Sequence, residues 1–411
     1  MFSVLRNRNF AKIFLAGVAS ASGFSIGQIA LVLIVVANTG SSFDVGFVGV
    51  AFILASVIFS LAAGAMVDRY ERRRLMVVSD LARAAILVVL VVTLIFVGFN
   101  LAAVLVAAFV IGSFSTLFTP AERALTPEVV GTEELVNANA LVQASSSVIQ
   151  FAGNAVGGIL VATVGAIIAF SLNSATFIIS AFLIVGVVGY TGHVRQGVAG
   201  QAKPSAIDDI KEGFRYIVNF RTLLYLTLSA GAGNFFLTMA FQYFVFYAKQ
   251  ILNGGVGQYG ILYGLLVGLF SLGWAPGAFV AARFNTVRFA GKVWILCGVA
   301  EGAGIGLLVL FPQTLIALPT AFMIGVFLGL TNATWLTIVQ LIVPTEMQGR
   351  YFGLDQLGSF AVIPVGQVIG AIIVATSGVG FDFMLASLGV MVSAGIFAFT
   401  SLRNLKWEKP R

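Results

Sequence analysis

The chain alternates long apolar stretches with short breaks of charged, polar, Gly or Pro residues. A helix that crosses a bilayer needs about 20 predominantly apolar residues, and stretches of that kind are what the breaks leave. The twelve stretches cover residues 11–37, 45–67, 75–97, 101–120, 137–163, 166–189, 222–249, 257–282, 292–311, 314–342, 351–376 and 380–402. No charged residue marks the boundary at Gly165. The pattern predicts an all-α membrane protein with twelve transmembrane helices.

The composition supports a membrane protein and limits the metal sites and catalytic mechanisms that the chain could have. Hydrophobic residues make up 59% of the chain and charged residues 9%, with a mean hydropathy of +1.03, whereas soluble domains carry roughly 25% charged residues. The single cysteine, Cys297, excludes a disulfide framework. The single histidine, His193, argues against a His-ligated metal and against Ser-His-Asp catalysis. We therefore expect no metal, no cofactor and no enzymatic activity.

The basic residues predict the orientation in the membrane. A net charge of +7 is typical of some nucleic-acid-binding proteins, but here Lys and Arg form short clusters between the apolar stretches. Such clusters flank the cytoplasmic ends of transmembrane helices. With the N-terminus inside, all 23 Lys and Arg except Lys249 lie on or near the cytoplasmic side. We expect an uncleaved N-terminus, both termini in the cytoplasm, a multi-pass protein of the cell membrane, and no nucleic-acid partner.

The central loop, residues 190–221, divides the stretches into two sets of six. A Gly-rich part is followed by an amphipathic part with Ile207, Ile210, Phe214 and Ile217 on one face. This pattern predicts a helix along the cytoplasmic membrane surface. The predicted organisation is an N-terminal six-helix bundle at 1–190, a linker at 191–220, and a C-terminal six-helix bundle with a tail at 221–411.

The two halves repeat each other. Three pairs of glycines are separated by the same 213 residues, namely Gly64 and Gly277, Gly153 and Gly366, and Gly157 and Gly370. A constant offset across several helices indicates internal duplication. Duplicated halves with a binding site near the midplane are typical of secondary transporters.

The loop after the second stretch has a sequence that resembles a known family. Residues 64–74 are GAMVDRYERRR, which resembles the signature loop of the major facilitator superfamily, G-x-x-x-D-R-x-G-R-R. Glu71 stands where that family usually has glycine. Residues 79–83, 170–177 and 343–350 are similar to the macrolide-efflux and enterobactin-exporter branch. The resemblance implies two pseudo-symmetric six-helix bundles that transport by alternating access.

The same loop predicts a gate on the cytoplasmic side. The resemblance implies gating roles for Gly64, Asp68, Arg69, Arg72, Arg73, Asp80 and Arg83. A glycine lets a neighbouring helix approach, and a carboxylate can accept from the N-terminal amides of the eleventh helix. Glu122 and Glu128 are further candidate partners of the arginines. The alternative is a cluster that only anchors the loop in the cytoplasm, although that rule counts Lys and Arg and does not explain Gly64 or Asp68.

The resemblance also implies which residues contact the substrate. In this fold the first, fourth, seventh and tenth helices line the cavity, and the fifth carries a polar stripe that faces either the cavity or another helix. The candidates for substrate binding are Ser25, Gln28, Ser113, Thr116, Gln150, Asn234, Thr238, Gln242, Asn332 and Trp335. A neutral lining of amides and aromatic rings suits a hydrophobic or amphipathic small molecule better than an anionic one.

Glu301 is the ionisable residue nearest the centre of a predicted span. Because a charge there costs at least ~2.5 kcal/mol, we expect a function for it, namely proton coupling. The alternative is a protonated carboxyl that hydrogen-bonds a neighbour. Together these features predict a secondary active exporter that is coupled to protons and monomeric, without a nucleotide-binding motif. The alternatives are an uptake carrier for a small nutrient and a non-transporting membrane scaffold.

Overall fold

The computed structural model describes residues 2–188, 215, 217–252, 258–284, 286–344, 347, 351, 354–355, 358–400 and 403. Among them, twelve helices are long and apolar enough to cross a membrane. They are α1 (Arg8–Thr39), α2 (Ser42–Arg69), α3 (Arg72–Phe96), α4 (Leu101–Gly131), α5 (Asn137–Val164), α6 (Ala166–Val185), α7 (Arg221–Gln242), α8 (Gln258–Arg283), α9 (Ala290–Leu310), α10 (Thr314–Ile342), α11 (Gly358–Ser377) and α12 (Val379–Phe397). The predicted fold class is confirmed.

The helices begin and end for local reasons. Asn7 and Ser41 cap α1 and α2, because their side-chain oxygens accept from backbone amides of the first turn. Gly165 separates α5 from α6 with a φ of 91°, and Gly378 separates α11 from α12 with a φ of 86°. Both φ values favour glycine. The predicted boundary at Gly165 is therefore correct, and it recurs 213 residues later in the second half.

The fourth helix is longer than predicted. Its predicted end at residue 120 rests on Pro120, but Pro120 and Pro127 both lie inside the helix, and the backbone leaves helical geometry at Gly131. A proline removes one amide donor, which neighbouring groups in a membrane protein can replace, so it need not end a transmembrane helix. Glu122 and Arg123 consequently lie within α4.

The seventh helix ends in an irregular turn. After Gln242 the chain forms a short helical turn, Phe244–Phe246, and then a π-helical turn, Tyr247–Ile251. The predicted linker helix falls mostly outside the described residues, since Ile207, Ile210 and Phe214 are not among them.

The described residues form two compact units. The first lies within Met1–Ala199 and Gly254–Gly268, and the second within Gly200–Asn253 and Leu269–Arg411. The first part of α8, up to Gly268, thus belongs to the first unit, and the remainder of α8 belongs to the second unit. Apolar side chains of α1 to α4 and α6 pack into a core in the first unit, around Met76 and Phe118. In the second unit, apolar side chains pack into a core around Leu223 and Tyr351.

Corresponding glycines pack the helices of each unit. In the first unit, a Cβ on Gly153 of α5 would lie 2.6 Å from the Cβ of Ser25 in α1. In the second unit, a Cβ on Gly366 of α11 would lie 2.6 Å from the backbone oxygen of Phe235 in α7. Small residues allow backbones to approach this closely. The sequence repeat therefore corresponds to the same helix contact in both units.

The glycines of the signature loop and its repeat differ. A Cβ on Gly277 in α8 would collide with the backbone oxygen of Val326 in α10. A Cβ on Gly64 in α2 would meet nothing within 4 Å in the described part of the chain. The close helix approach expected at Gly64 is therefore present at Gly277 and is not seen at Gly64.

Candidate functional site

A buried ion pair lies within the first unit. Asp80 and Arg83 are one turn apart on α3, and their side chains are 0% and 3% exposed. Arg83 Nη2 pairs with Asp80 Oδ1 and also donates to Ser20 Oγ at 3.2 Å, and Nη1 donates to Ser115 Oγ at 3.4 Å. The pair therefore joins α3 to α1 and α4.

Aromatic rings complete the environment of Arg83. Its guanidinium carbon lies 4.6 Å from the ring centroid of Phe118 in α4 and 4.3 Å from that of Phe177 in α6. A cation at that distance over a ring face is attracted by the ring electrons. Arg83 thus contacts side chains of three other helices and holds the interior of the bundle together.

The arginines of the signature loop have defined partners. Arg72 pairs with Glu128 in α4, and its Nη1 also donates to the backbone oxygen of Ala124 at 3.0 Å. Arg73 and Arg74 both pair with Glu71, at 3.2 Å and 2.5 Å. Glu71, the departure from the family sequence, is therefore a second anchor for this basic cluster, which the sequence did not suggest.

Asp68 and Arg69 are the members of the predicted gate at the end of α2. The side chain of Asp68 is not among those that the structure describes, and neither are residues 348–350 before the eleventh helix. Arg69 is exposed at the end of α2. The predicted contact between Asp68 and the start of the eleventh helix stays a prediction.

A cavity of about 140 Å³ lies inside the second unit. Side chains of α7, α9, α10, α12 and the described residues at the start of the eleventh helix form its walls. The polar groups and indole rings that matter most are Asn234, Trp294, Glu301, Asn332, Trp335 and Asp355. Four of these six were singled out from the sequence, three as substrate-binding residues and Glu301 as the coupling residue.

Glu301 is one of the two carboxyl residues described in this cavity wall. Its side chain is buried, with 4% of the residue exposed. Thr331 Oγ1 in α10 donates to Glu301 Oε1 at a long 3.4 Å and to the backbone oxygen of Phe327 at 2.9 Å. The carboxyl therefore faces a space that can admit a ligand, and its hydrogen bond with Thr331 is weak.

Asp355 is a second buried carboxyl in the wall. Its Oδ1 accepts from Thr227 Oγ1 at 3.0 Å and from Ser359 Oγ at 3.1 Å. Burial raises the pKa of Asp355 above its usual value, and these two hydrogen bonds oppose that rise. Asp355 was not predicted, because it lies near the end of a predicted span. Its spacing of four residues from Ser359 could have placed it on the same polar face.

Trp294 is the other one of these six wall residues that was not predicted. Its indole Nε1 donates to Ser229 Oγ in α7 at 2.7 Å, which fixes the ring against the cavity. Trp294 lies near the start of α9, where an aromatic residue is expected at a membrane interface. Its position in the cavity wall therefore could not be distinguished in the sequence from that of an ordinary interfacial tryptophan.

The remaining predicted substrate residues do not line this cavity. The hydroxyls of Ser25, Ser113, Thr116 and Thr238 donate to backbone oxygens four residues earlier in their own helices. The three predicted amides outside the cavity wall are Gln28, Gln150 and Gln242, of which Gln150 donates to Ser146 and Gln242 accepts from Gln367. Their roles in binding stay predictions.

Comparison with known proteins identifies the family. A sequence model described as the Major Facilitator Superfamily matches residues 13–367. The chain belongs to this superfamily. The signature loop and the buried Asp80–Arg83 pair are thus features of a Major Facilitator Superfamily transporter.

Relatives in the superfamily match most of the chain. The uncharacterized MFS-type transporter YvqJ of Bacillus subtilis (strain 168) is 25% identical over 405 residues, covering 96% of this chain and 93% of the relative. The multidrug efflux pump Tap of Mycolicibacterium fortuitum is 25% identical over 405 residues, covering 94% of each. The relatives of this chain in the superfamily thus include a multidrug efflux pump, in line with the predicted resemblance to an efflux-type branch.

Solved structures show the same fold. A bacterial homologue of the human lysosomal transporter Spinster aligns with a TM-score of 0.74 at 12% identity, covering 98% of this chain and 99% of that one. The nucleoside transporter NupG aligns with a TM-score of 0.71 at 12% identity, covering 95% and 98%. The protein is a multi-pass transporter of the cell membrane that carries small molecules.

Proposed function

We propose that the protein is a secondary active exporter that exchanges a hydrophobic or amphipathic small molecule for protons by alternating access. Glu301 is the carboxyl that couples the two movements. The observation that carries this proposal is the position of Glu301 in the wall of the cavity inside the second unit. A carboxyl at membrane depth is costly to keep, so it indicates a functional role.

The composition of the cavity wall favours this class of substrate. Asn234 and Asn332 offer neutral amides, and Trp294 and Trp335 offer large apolar ring faces. Among the described lining residues there is no Lys or Arg, which are the groups that bind phosphate or carboxylate ligands. A phosphorylated or strongly anionic substrate would therefore lack a partner here.

The size of the cavity limits what it can hold. An engineered cavity of about 150 Å³ takes up one benzene molecule, whereas whole drug-sized ligands occupy roughly 300–1,000 Å³. At about 140 Å³, the cavity has room for one ring or a short branched group. We infer that it binds one end of a larger substrate.

The relatives support the proposed direction of transport, and the charge pattern supports the proposed orientation in the membrane. Relatives include multidrug efflux pumps called Tap, which supports export over nutrient uptake. All Lys and Arg except Lys249 lie on or near the side assigned to the cytoplasm. With both termini inside, the signature loop and its Arg72–Glu128 pair form the cytoplasmic gate of a monomer.

The test uses the purified protein in proteoliposomes. Counterflow of fluorescent amphipathic compounds is measured without a gradient, and accumulation is measured with a pH gradient, for the wild type, Glu301→Gln and Asp44→Asn. We expect Glu301→Gln to keep counterflow and lose gradient-driven accumulation, because the isosteric amide cannot carry a proton. Asp44, in the first turn of α2, lies outside the cavity, and its variant should behave like the wild type. Accumulation that persists in Glu301→Gln would overturn the role of this residue.

A further inference from the structure

Asp382 is a buried carboxyl without a partner. It lies in the first turn of α12, and its side chain is 0% exposed. Neither carboxyl oxygen has a hydrogen-bond partner among the described residues. Buried polar groups are nearly always hydrogen-bonded, and buried charges are paired. A carboxyl in this setting is stable in its neutral form, which means that it carries a proton.

The groups around Asp382 do not supply a cation. Asp382 Oδ1 lies 3.4 Å from the position that a Cβ on Gly370 in α11 would occupy, and the ring of Tyr243, the residue after α7, packs against the same position. The Tyr243 hydroxyl donates instead to the backbone oxygen of Gln367 at 2.5 Å. From Val362 to Ser377, α11 has no ionisable residue.

The other elements that pack against α12 also provide no partner for Asp382 among the described residues. The π-helical turn carries Tyr247, whose hydroxyl donates to the backbone oxygen of Leu308 at 2.7 Å, and Lys249, which is exposed. The ionisable residue of α9 near its centre is Glu301, which accepts from Thr331 Oγ1. No described salt bridge reaches Asp382.

The internal repeat shows that the fold does not need this carboxyl. Gly378 begins α12 as Gly165 begins α6, with nearly equal φ and ψ angles of 86° and 160° against 91° and 164°. By the same offset of 213 residues, Asp382 corresponds to Ala169, which is also 0% exposed. The first unit therefore packs the equivalent position with a methyl group.

A buried carboxyl without a partner destabilises the fold, and the equivalent position in the first unit is occupied by Ala169. Asp382 therefore indicates a functional role. We propose that Asp382 is a second proton-binding carboxyl, which takes up and releases a proton during the transport cycle. It lies at the end of the second unit that the charge pattern assigns to the outside, whereas Glu301 lies at mid-depth. The inference rests on the proposed function, because a proton site serves transport only if protons are exchanged.

Release requires a change in the surroundings of Asp382. Ionisation without water or a cation is unfavourable in an apolar interior. Movement of α12 against α7 and α11 that admits water to the first turn of α12 would let the proton leave. Proton binding at Asp382 is therefore linked to conformation. The described packing favours the protonated carboxyl, and a conformation that admits water favours the ionised one.

The first experiment measures proton binding without transport. Infrared spectra of the purified full-length protein are recorded across a pH titration for the wild type, Asp382→Asn and Asp44→Asn. We expect a C=O stretch of a protonated carboxyl that disappears at high pH and is missing from Asp382→Asn but present in Asp44→Asn. Failure to find a pH-dependent band assigned to Asp382 would overturn the proposal, whether or not the protein transports protons.

The second experiment measures coupling in proteoliposomes with Asp382→Asn and Asp382→Ala. We expect both variants to fold and to retain counterflow, since Ala169 fills the equivalent position, and to lose accumulation driven by a pH gradient. Wild-type accumulation in both variants would overturn the role in the cycle. If the wild-type protein accumulates no compound, the proposed function is contradicted. The proton-binding role of Asp382 is then tested by the infrared band alone. Accumulation driven by a sodium gradient in place of a pH gradient would overturn the proton as the bound ion.

Discussion

The guanidinium of Arg83 pairs with the carboxylate of Asp80 one turn earlier in α3, and both side chains are almost completely buried. The guanidinium also lies between the rings of Phe118 and Phe177. Each charge is thus compensated by the other and by groups from neighbouring helices. Removal of one partner would leave the other buried and unpaired, which costs more than removal of both.

The buried pair gives the first prediction. We expect Asp80→Asn to destabilise the protein by about 3–5 kcal/mol, because Arg83 loses its counter-ion in an apolar interior. The double variant Asp80→Asn with Arg83→Met should recover most of that loss. Thermal unfolding in detergent measures both, with Asp44→Asn as the control. A double variant less stable than Asp80→Asn alone would contradict this account.

The second prediction concerns the signature loop. Glu128→Gln should lower stability by about 1–3 kcal/mol, because the partly buried guanidinium of Arg72 then faces a neutral amide oxygen and loses its charged partner. Arg74 offers a matched control, since its side chain is 79% exposed although it pairs with Glu71. Arg74→Gln should change stability by no more than about 0.5 kcal/mol. Equal effects of the two variants on the unfolding temperature would show that the Arg72–Glu128 pair has no special role.

The third prediction uses the repeat as its own control. Gly277→Ala should destabilise by about 1–3 kcal/mol, because the added methyl group collides with the backbone oxygen of Val326. Gly64→Ala at the corresponding position should leave the unfolding temperature unchanged or slightly higher. Denaturation in detergent compares the two. Destabilisation by Gly64→Ala alone would show that the packing at these positions is assigned wrongly.

The fourth prediction is a pH dependence at Asp355. Since burial raises its pKa from the usual 3.8, the folded protein binds this proton more tightly than the unfolded chain does. Stability is therefore lost as the pH rises from about 4 through the raised pKa, and the loss stays constant above it. Asp355→Asn removes this loss, so its unfolding temperature relative to the wild type should rise across that window. A difference that does not change with pH would contradict the assignment.

The sequence was sufficient for the fold and for four of the six polar and indole-bearing residues named in the cavity wall. Spans of about 20 apolar residues are a strong signal because a bilayer permits few alternatives. Asn234, Asn332 and Glu301 stood out as polar groups inside such spans. Trp294 did not stand out because Trp is common at membrane interfaces, and Asp355 did not because it lies near the end of a predicted span.

Other features depend on contacts between distant parts of the chain. Asp382 looks like an ordinary first-turn acid in the sequence, and its isolation follows from the packing of α7 and α11 around it. The contacts of Glu71 with Arg73 and Arg74 occupy a place where the family pattern suggested glycine. The length of α4 could not be inferred, because Pro120 marks a break in soluble helices more often than in membrane helices.

The central claim is exchange of substrate for protons, and the most direct measurement follows the protons. Vesicles containing the wild-type protein and a pH-sensitive dye are loaded with an amphipathic compound that shows counterflow, then diluted so that the compound leaves. We predict that the interior becomes more acidic as the compound moves out, and that Glu301→Gln abolishes this change while exchange continues. Efflux without any pH change, or with an interior that becomes more alkaline, would contradict proton exchange.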